Sequence, residues 1–132
     1  MSARRIATIA RTAALLALAA CRVTADAEDE TRRAAIAMTG GDPARGPALI
    51  RHYGCGSCHT IAGVAGAAGL VGPPLTGIAS RAYIAGVLEN EPANMVRWIR
   101  DPKGVDALTA MPNTGVTESD ARHIAAYLYT LR

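Results

Sequence analysis

The chain has no phenylalanine, and its aromatic residues amount to one Trp and four Tyr, 4% of 132 residues. A core built from Ala, Leu, Ile and Val alone would be thin at this size, so a further apolar body inside the fold is expected. Cysteine is also scarce, with Cys21, Cys55 and Cys58 the only three. No apolar run reaches the roughly 20 residues that a membrane-spanning helix needs. No segment alternates with period two, which removes the usual signature of a half-buried strand. There is no internal repeat, and no basic excess outside the first 21 residues. The formal charge of +3 comes from Arg4, Arg5 and Arg11, because 11 basic and 11 acidic residues follow from Arg22 onward. Without a basic run to track phosphates, nucleic acid is not an expected partner.

Residues 1–21, MSARRIATIARTAALLALAAC, have a basic start, a short apolar core and small residues before a cysteine, the layout of an export signal. Leu18, Ala19, Ala20 and Cys21 resemble the lipobox of bacterial lipoprotein signals, which makes Cys21 the expected lipidation site and new N-terminus. The alternative is ordinary cleavage near Ala25, Asp26 and Ala27, leaving a soluble periplasmic protein. Either way the chain is expected on the periplasmic side of a bacterial cell envelope. Residues 22–39, mixed in charge and rich in Ala, read as a tether or a loosely held helix; as a flexible stretch its typical reach would be about 25 Å.

From residue 40 to residue 132 the pattern is that of one small all-α domain of three to five helices. Asp42 with Pro43 behind it starts a first helix, whose apolar Leu49, Ile50 and Tyr53 precede Gly54. Met95, Trp98 and Ile99 share one face of a second helix that must stop before Pro102. Thr117 and Asp120 form a capping-box start for a terminal helix carrying Ala121, Ile124, Ala125, Leu128 and Leu131 on one stripe. Between these, residues 62–77 hold five Gly and two Pro, a loop expected to pass close to something.

Residues 55–59 read Cys-Gly-Ser-Cys-His. C-x-x-C-H is the pattern of covalent c-type haem attachment. Cysteines three apart lie on one face of a helical turn, where two sulfurs can bond the two vinyl groups of one porphyrin edge, and His59 behind them can give the iron its proximal nitrogen. Gly56 and Ser57 are small enough to let the macrocycle lie close to the backbone. A haem is also the large apolar body that the thin core wants. A structural zinc site would need four ligands and a second cysteine pair or paired His, and a thioredoxin-like dithiol would need a βαβ context, neither of which is visible. A simple disulfide remains a further alternative.

With its GDPARG helix start, GCGSCHTI, VGPPLTG, the Trp-bearing helix, TAMP and the terminal AAYLYTL in that order, the chain from about Gly40 to Arg132 resembles class I (monohaem) cytochromes c. In texture it resembles the cytochrome c domains attached to subunit II of some haem–copper oxidases. The resemblance implies a small cytochrome c fold around one covalent haem c, with Met111 of TAMP as the second axial ligand opposite His59. Met95 on an apolar helix face, Met38 in the tether, His52 in the first helix and His123 in the last are weaker rivals. The same resemblance implies that Pro73 accepts a hydrogen bond from His59, that Arg81 meets a haem propionate, and that Trp98 packs near Met111. It also implies a close crossing of first and last helices at Gly46 and Tyr127, and Ile50 stands where many relatives carry Phe. Iron held on both sides would have no open position, so the implied function is electron transfer in a respiratory-type chain, not an enzyme. The implied partners are redox proteins such as a terminal oxidase, a dehydrogenase or another cytochrome, meeting a monomer or weakly bound subunit. The alternatives are a dedicated subunit of an oxidase or dehydrogenase complex, or a haem sensor or enzyme in which Met111 dissociates.

Overall fold

The computed structural model describes Arg22 and residues 24–132, so the signal segment and Cys21 lie outside the described residues. Residues 24–39 are helical (α1), and the chain divides into two units between Thr31 and Arg32. In the first unit Thr31 Oγ1 donates back to the carbonyl of Ala27, 2.9 Å away within the helix. In the second unit the helix runs on through residues 32–39, with Ile36 and Met38 exposed. Ala35 and Thr39 are buried there. Thr39 Oγ1 donates to Ala35 O at 2.7 Å and accepts from Gly41 N at 3.1 Å, while Gly40, at φ 67°, ends the helix in the left-handed conformation.

The rest of the second unit is mostly helical. Asp42 Oδ1 accepts from Ala44 N at 2.9 Å and opens a 3-10 turn, Pro43–Arg45, that leads into α2, Gly46–His52. Gly54, at φ 71°, then turns the chain into a second 3-10 turn, Cys55–Ser57. After the loop come a 3-10 turn at Ile78–Ser80, α3 at Pro92–Arg100, α4 at Pro102–Val105 and α5 at Glu118–Leu128. The stops fall where the prolines demand, with α3 ending two residues before Pro102. One small antiparallel ribbon interrupts the helices, pairing Tyr83 with Glu89 and Ile84 with Leu88. Its strands, β1 (Tyr83–Ile84) and β2 (Leu88–Glu89), are two residues each, too short to leave an alternating pattern in the sequence.

Helix α5 is the central packing element, lying on α2 and α3. Its buried stripe is Ala121, Ile124, Ala125 and Leu128, the period expected for a helix with one face in the core. A Cβ at Gly46 would sit 2.2 Å from Tyr127 Cβ, so the bare glycine is what lets α2 and α5 cross. Tyr127 Oη then reaches past the crossing and donates to Ala62 O at 2.6 Å. Trp98, Ile99, Met95 and Ile50 join this stripe in the apolar core. No helix among the described residues is long and apolar enough to cross a membrane.

At the start of α5, Thr117 Oγ1 accepts from Asp120 N at 3.2 Å, and the Asp120 carboxylate accepts from Tyr53 Oη at 2.7 Å. This bond from α2's end to α5's first turn holds Asp120 below the usual carboxylate range and raises the Tyr53 phenol above its usual value. The sign follows for each group. The depressed carboxyl contributes stability that is present above the ordinary value of 3.8 and lost as pH falls through its lowered pKa. The raised phenol contributes stability present below 10.0 and lost as pH rises through its own. Tyr53→Phe is therefore expected to flatten the pH–stability profile at both ends while leaving its shape near neutrality, as measured by denaturant unfolding from pH 3 to pH 11. An unchanged acid limb would show that the bond does not bear on stability.

Candidate functional site

The Cys pair flanks a 3-10 turn, the helical turn expected from sequence in its tighter form, with Cys58 N donating to Cys55 O at 3.3 Å and His59 N to the same carbonyl at 3.0 Å. In such a turn residues i and i+3 eclipse, which stacks the two cysteines on one side. Both thiols are free and partly exposed. Loss of solvent pushes the Cys55 thiol above its ordinary pKa, with the neighbouring Cys58 adding to the rise. A redox dithiol needs the opposite, an N-terminal cysteine with a depressed pKa. A zinc site fits no better, because among the described residues no three His, Cys, Asp or Glu side chains gather to hold a metal ion.

The glycine-rich loop explains itself against this turn. Its backbone runs in step with the attachment segment: Gly69 N donates to Gly56 O (3.1 Å), Gly72 N to Cys58 O (2.8 Å) and Leu75 N to Thr60 O (2.9 Å). A Cβ at Gly56 would meet Ala67 Cα at 2.8 Å, and one at Gly69 would meet Ser57 O at 2.4 Å. What the loop passes close to is the Cys-x-x-Cys-His turn. Where it arrives at His59, the imidazole Nδ1 donates to Pro73 O at 2.7 Å. A carbonyl can only accept, so the ring proton is on Nδ1 and the Nε2 lone pair is left available for a metal.

Met111 lies in the loop before α5, half-buried against the apolar cluster that contains Trp98. Several bonds brace this loop. Met111 N donates to Thr109 Oγ1 at 3.2 Å, and Lys103 Nζ donates to Thr109 O. Asn113 Nδ2 donates to Asp101 Oδ1 at 2.9 Å, and the same carboxylate accepts from Gly104 N at 3.0 Å. Those two bonds, Asn113's first, hold Asp101 below the usual carboxylate range.

A family model described as cytochrome c matches residues 43–132, from the first 3-10 turn to the end of the chain. The chain belongs to the cytochrome c family. It is 35% identical over 89 residues to cytochrome c oxidase subunit 2 of Alkalihalophilus pseudofirmus, a match that covers 67% of this chain and 25% of that protein. The chain thus corresponds to about a quarter of the length of that relative, and no solved structure matches it.

The cofactor of a cytochrome c is covalent haem c, and the donor set of this cytochrome fits it: two free thiols three residues apart at one turn, followed by an imidazole whose Nδ1 proton is already committed. Arg81 does something the family resemblance did not imply. Its Nη2 donates to Pro74 O at 2.6 Å and Thr76 O at 3.1 Å, so it staples the loop just beyond Pro73. Asn90 fixes the backbone behind it, donating through Nδ2 to Ile78 O and Arg81 O, while Tyr129 Oη donates to Asn90 Oδ1. The rival ligands are engaged elsewhere. Met95 is buried in the core, Met38 is exposed, and His52 is exposed and stacks edge-on against Tyr53. His123 Nδ1 accepts from Asp42 N at 2.8 Å, tying α5 to the first 3-10 turn. Sequence reasoning did not single out Asp101, Asn113 or Asn90, because their partners lie 9 to 12 residues away in loops without periodicity.

Proposed function

We propose that this cytochrome c is a monohaem electron carrier of a bacterial cell envelope, held near its partners by a lipid at Cys21 and passing electrons in a respiratory-type chain. The single observation that carries the electron-transfer part is the arrangement at residues 55–59 and 73: free thiols on one turn and an imidazole pre-oriented by the Pro73 carbonyl. When bound, the haem supplies one-electron chemistry between ferric and ferrous iron. The chain's own residues do the rest. Cys55 and Cys58 would fix the group covalently, His59 would ligate through Nε2, and Met111 would supply a thioether ligand from the braced loop. A neutral thioether favours ferrous iron and raises the potential. A low-dielectric surround disfavours the extra positive charge of the ferric state and acts in the same direction. Trp98 would pack beside Met111, and Arg81, already at the loop's rim, would offer its remaining N–H groups to a propionate.

Ligands held in place in both oxidation states leave little to rearrange, which suits a carrier better than a sensor. The likeness to an oxidase subunit supports a terminal oxidase or another respiratory redox protein as partner. The lipid anchor and the periplasmic location rest on residues 1–21 alone. Expression in a host able to attach haem, followed by intact mass measurement, is expected to show one added haem, lost in Cys55→Ser/Cys58→Ser. An unmodified chain with two titratable thiols would overturn the reading. Cys21→Ala is expected to release the protein from the membrane fraction, and a wild type already found wholly soluble would remove the anchor.

A further inference from the structure

A Cβ built on Gly72 would stand 2.4 Å from His59 Cε1, 2.7 Å from Nδ1 and 2.9 Å from Nε2. Real Cβ atoms do not approach that closely, so the imidazole occupies the space that any other residue's side chain would need. The φ of Gly72 is not in the left-handed region, unlike those of Gly63, Gly66 and Gly77 in the same loop. Backbone freedom therefore does not account for a glycine here; room for the ring does. The two neighbouring contacts allow no easy escape. Gly72 N is bonded to Cys58 O at 2.8 Å, which holds the loop against residue 58, and His59 Nδ1 is bonded to Pro73 O at 2.7 Å, which holds the ring over residue 72.

We infer that Gly72 is a positioning residue for the axial imidazole: its bare Cα is the seat on which the His59 ring rests, so that Gly72 gives the ring space while Pro73 sets its tautomer. This rests on the reading of His59 as an iron ligand. An alanine at 72 would push the ring away and stretch or break the bond to Pro73. The Nδ1–H···O=C bond makes the imidazole a more basic ligand, which favours ferric iron. Weakening it shifts the balance toward ferrous iron.

Three measurements test the inference on the haem-loaded protein. In the ferric wild type, the His59 ring protons should be hyperfine-shifted in the NMR spectrum; if they are not, the ligand assignment fails and the inference with it. In the reduced, diamagnetic wild type, a strong nuclear Overhauser contact should link the Gly72 α-protons to His59 Hε1; its absence overturns the inference even if His59 is the ligand. This measurement also decides the case should Gly72→Ala fail to take up haem. Where the variant does load, its midpoint potential should move upward and its His59 resonances should shift. Gly66→Ala serves as the comparison, because a Cβ there meets nothing within 4 Å and only strains a backbone at φ 80°. It should lose stability with its potential unchanged. Gly72→Ala with wild-type potential and wild-type His59 resonances would overturn the proposal.

Discussion

Met111→Ala is expected to lower the midpoint potential by a substantial part of the roughly 0.8 V range that axial ligation commands. The same variant should lose the far-red sulfur-to-iron charge-transfer band of the oxidised protein and should bind carbon monoxide readily when reduced. The thioether is the softer of the two proposed ligands and the one that favours ferrous iron, so its removal both opens a coordination position and takes away ferrous stabilisation. Among the described residues, the rival donors named above are held elsewhere. Met95 is 2% exposed on the core face of α3, and His52 and His123 are engaged on other surfaces. The loop that carries residue 111 should persist in the variant, because its bracing bonds run through Thr109, Lys103, Asp101 and Asn113 and not through the Met side chain. Optical spectra and a redox titration of the purified holoprotein decide the matter. Unchanged spectrum and potential would remove Met111 from the site, and wild-type protein that already binds carbon monoxide would favour a sensor over a carrier.

Gly46→Ala is expected to cost this protein a large part of its stability. The new Cβ would lie 2.2 Å from Tyr127 Cβ and 3.1 Å from the backbone oxygen of His123, so both obstacles are at or next to the main chain of α5 and neither can swing aside. The two helices must separate, and with them the buried stripe that α5 presents to the core. Overpacking of this kind costs about 3 kcal/mol. For a domain of this size that is a fall in melting temperature of roughly 10–20 °C. The melting temperature of the holoprotein, followed by helical circular dichroism, is the measurement. A variant melting within a degree or two of wild type would mean that α2 and α5 do not cross as closely as the structure has them.

Short-range chemistry was readable from the residues in order. Two cysteines with a histidine behind them can only be neighbours in space, Asp42 with Pro43 and Thr117 with Asp120 are local helix starts, and Pro102 ends a helix wherever it stands. The resemblance to monohaem cytochromes c extended this to contacts between distant residues, and the crossing at Gly46 and Tyr127 lies where it implied. An alanine-rich, mixed-charge segment at 22–39 is compatible with a tether or a loosely held helix, and which of its residues are covered was not readable until Ala35 and Thr39 were seen buried. The ribbon at 83–89 was missed because two-residue strands carry no period.

Residue identity alone thus settled the chemistry on offer: a helical pattern with one attachment turn, a histidine behind it and an aromatic-poor interior that calls for an apolar cofactor, while the second ligand, Met111, was implied by the family resemblance. Folding settled which atoms meet. That Gly72 must be bare because a ring fourteen positions from Pro73's carbonyl leans on it, that Arg81 staples Pro74 and Thr76, and that Asp101 reaches Asn113 are all consequences of loop closure. Local propensity acts over a few residues along the chain, whereas steric exclusion and hydrogen bonding act through space, and only a closed loop turns the second into a constraint on a single position.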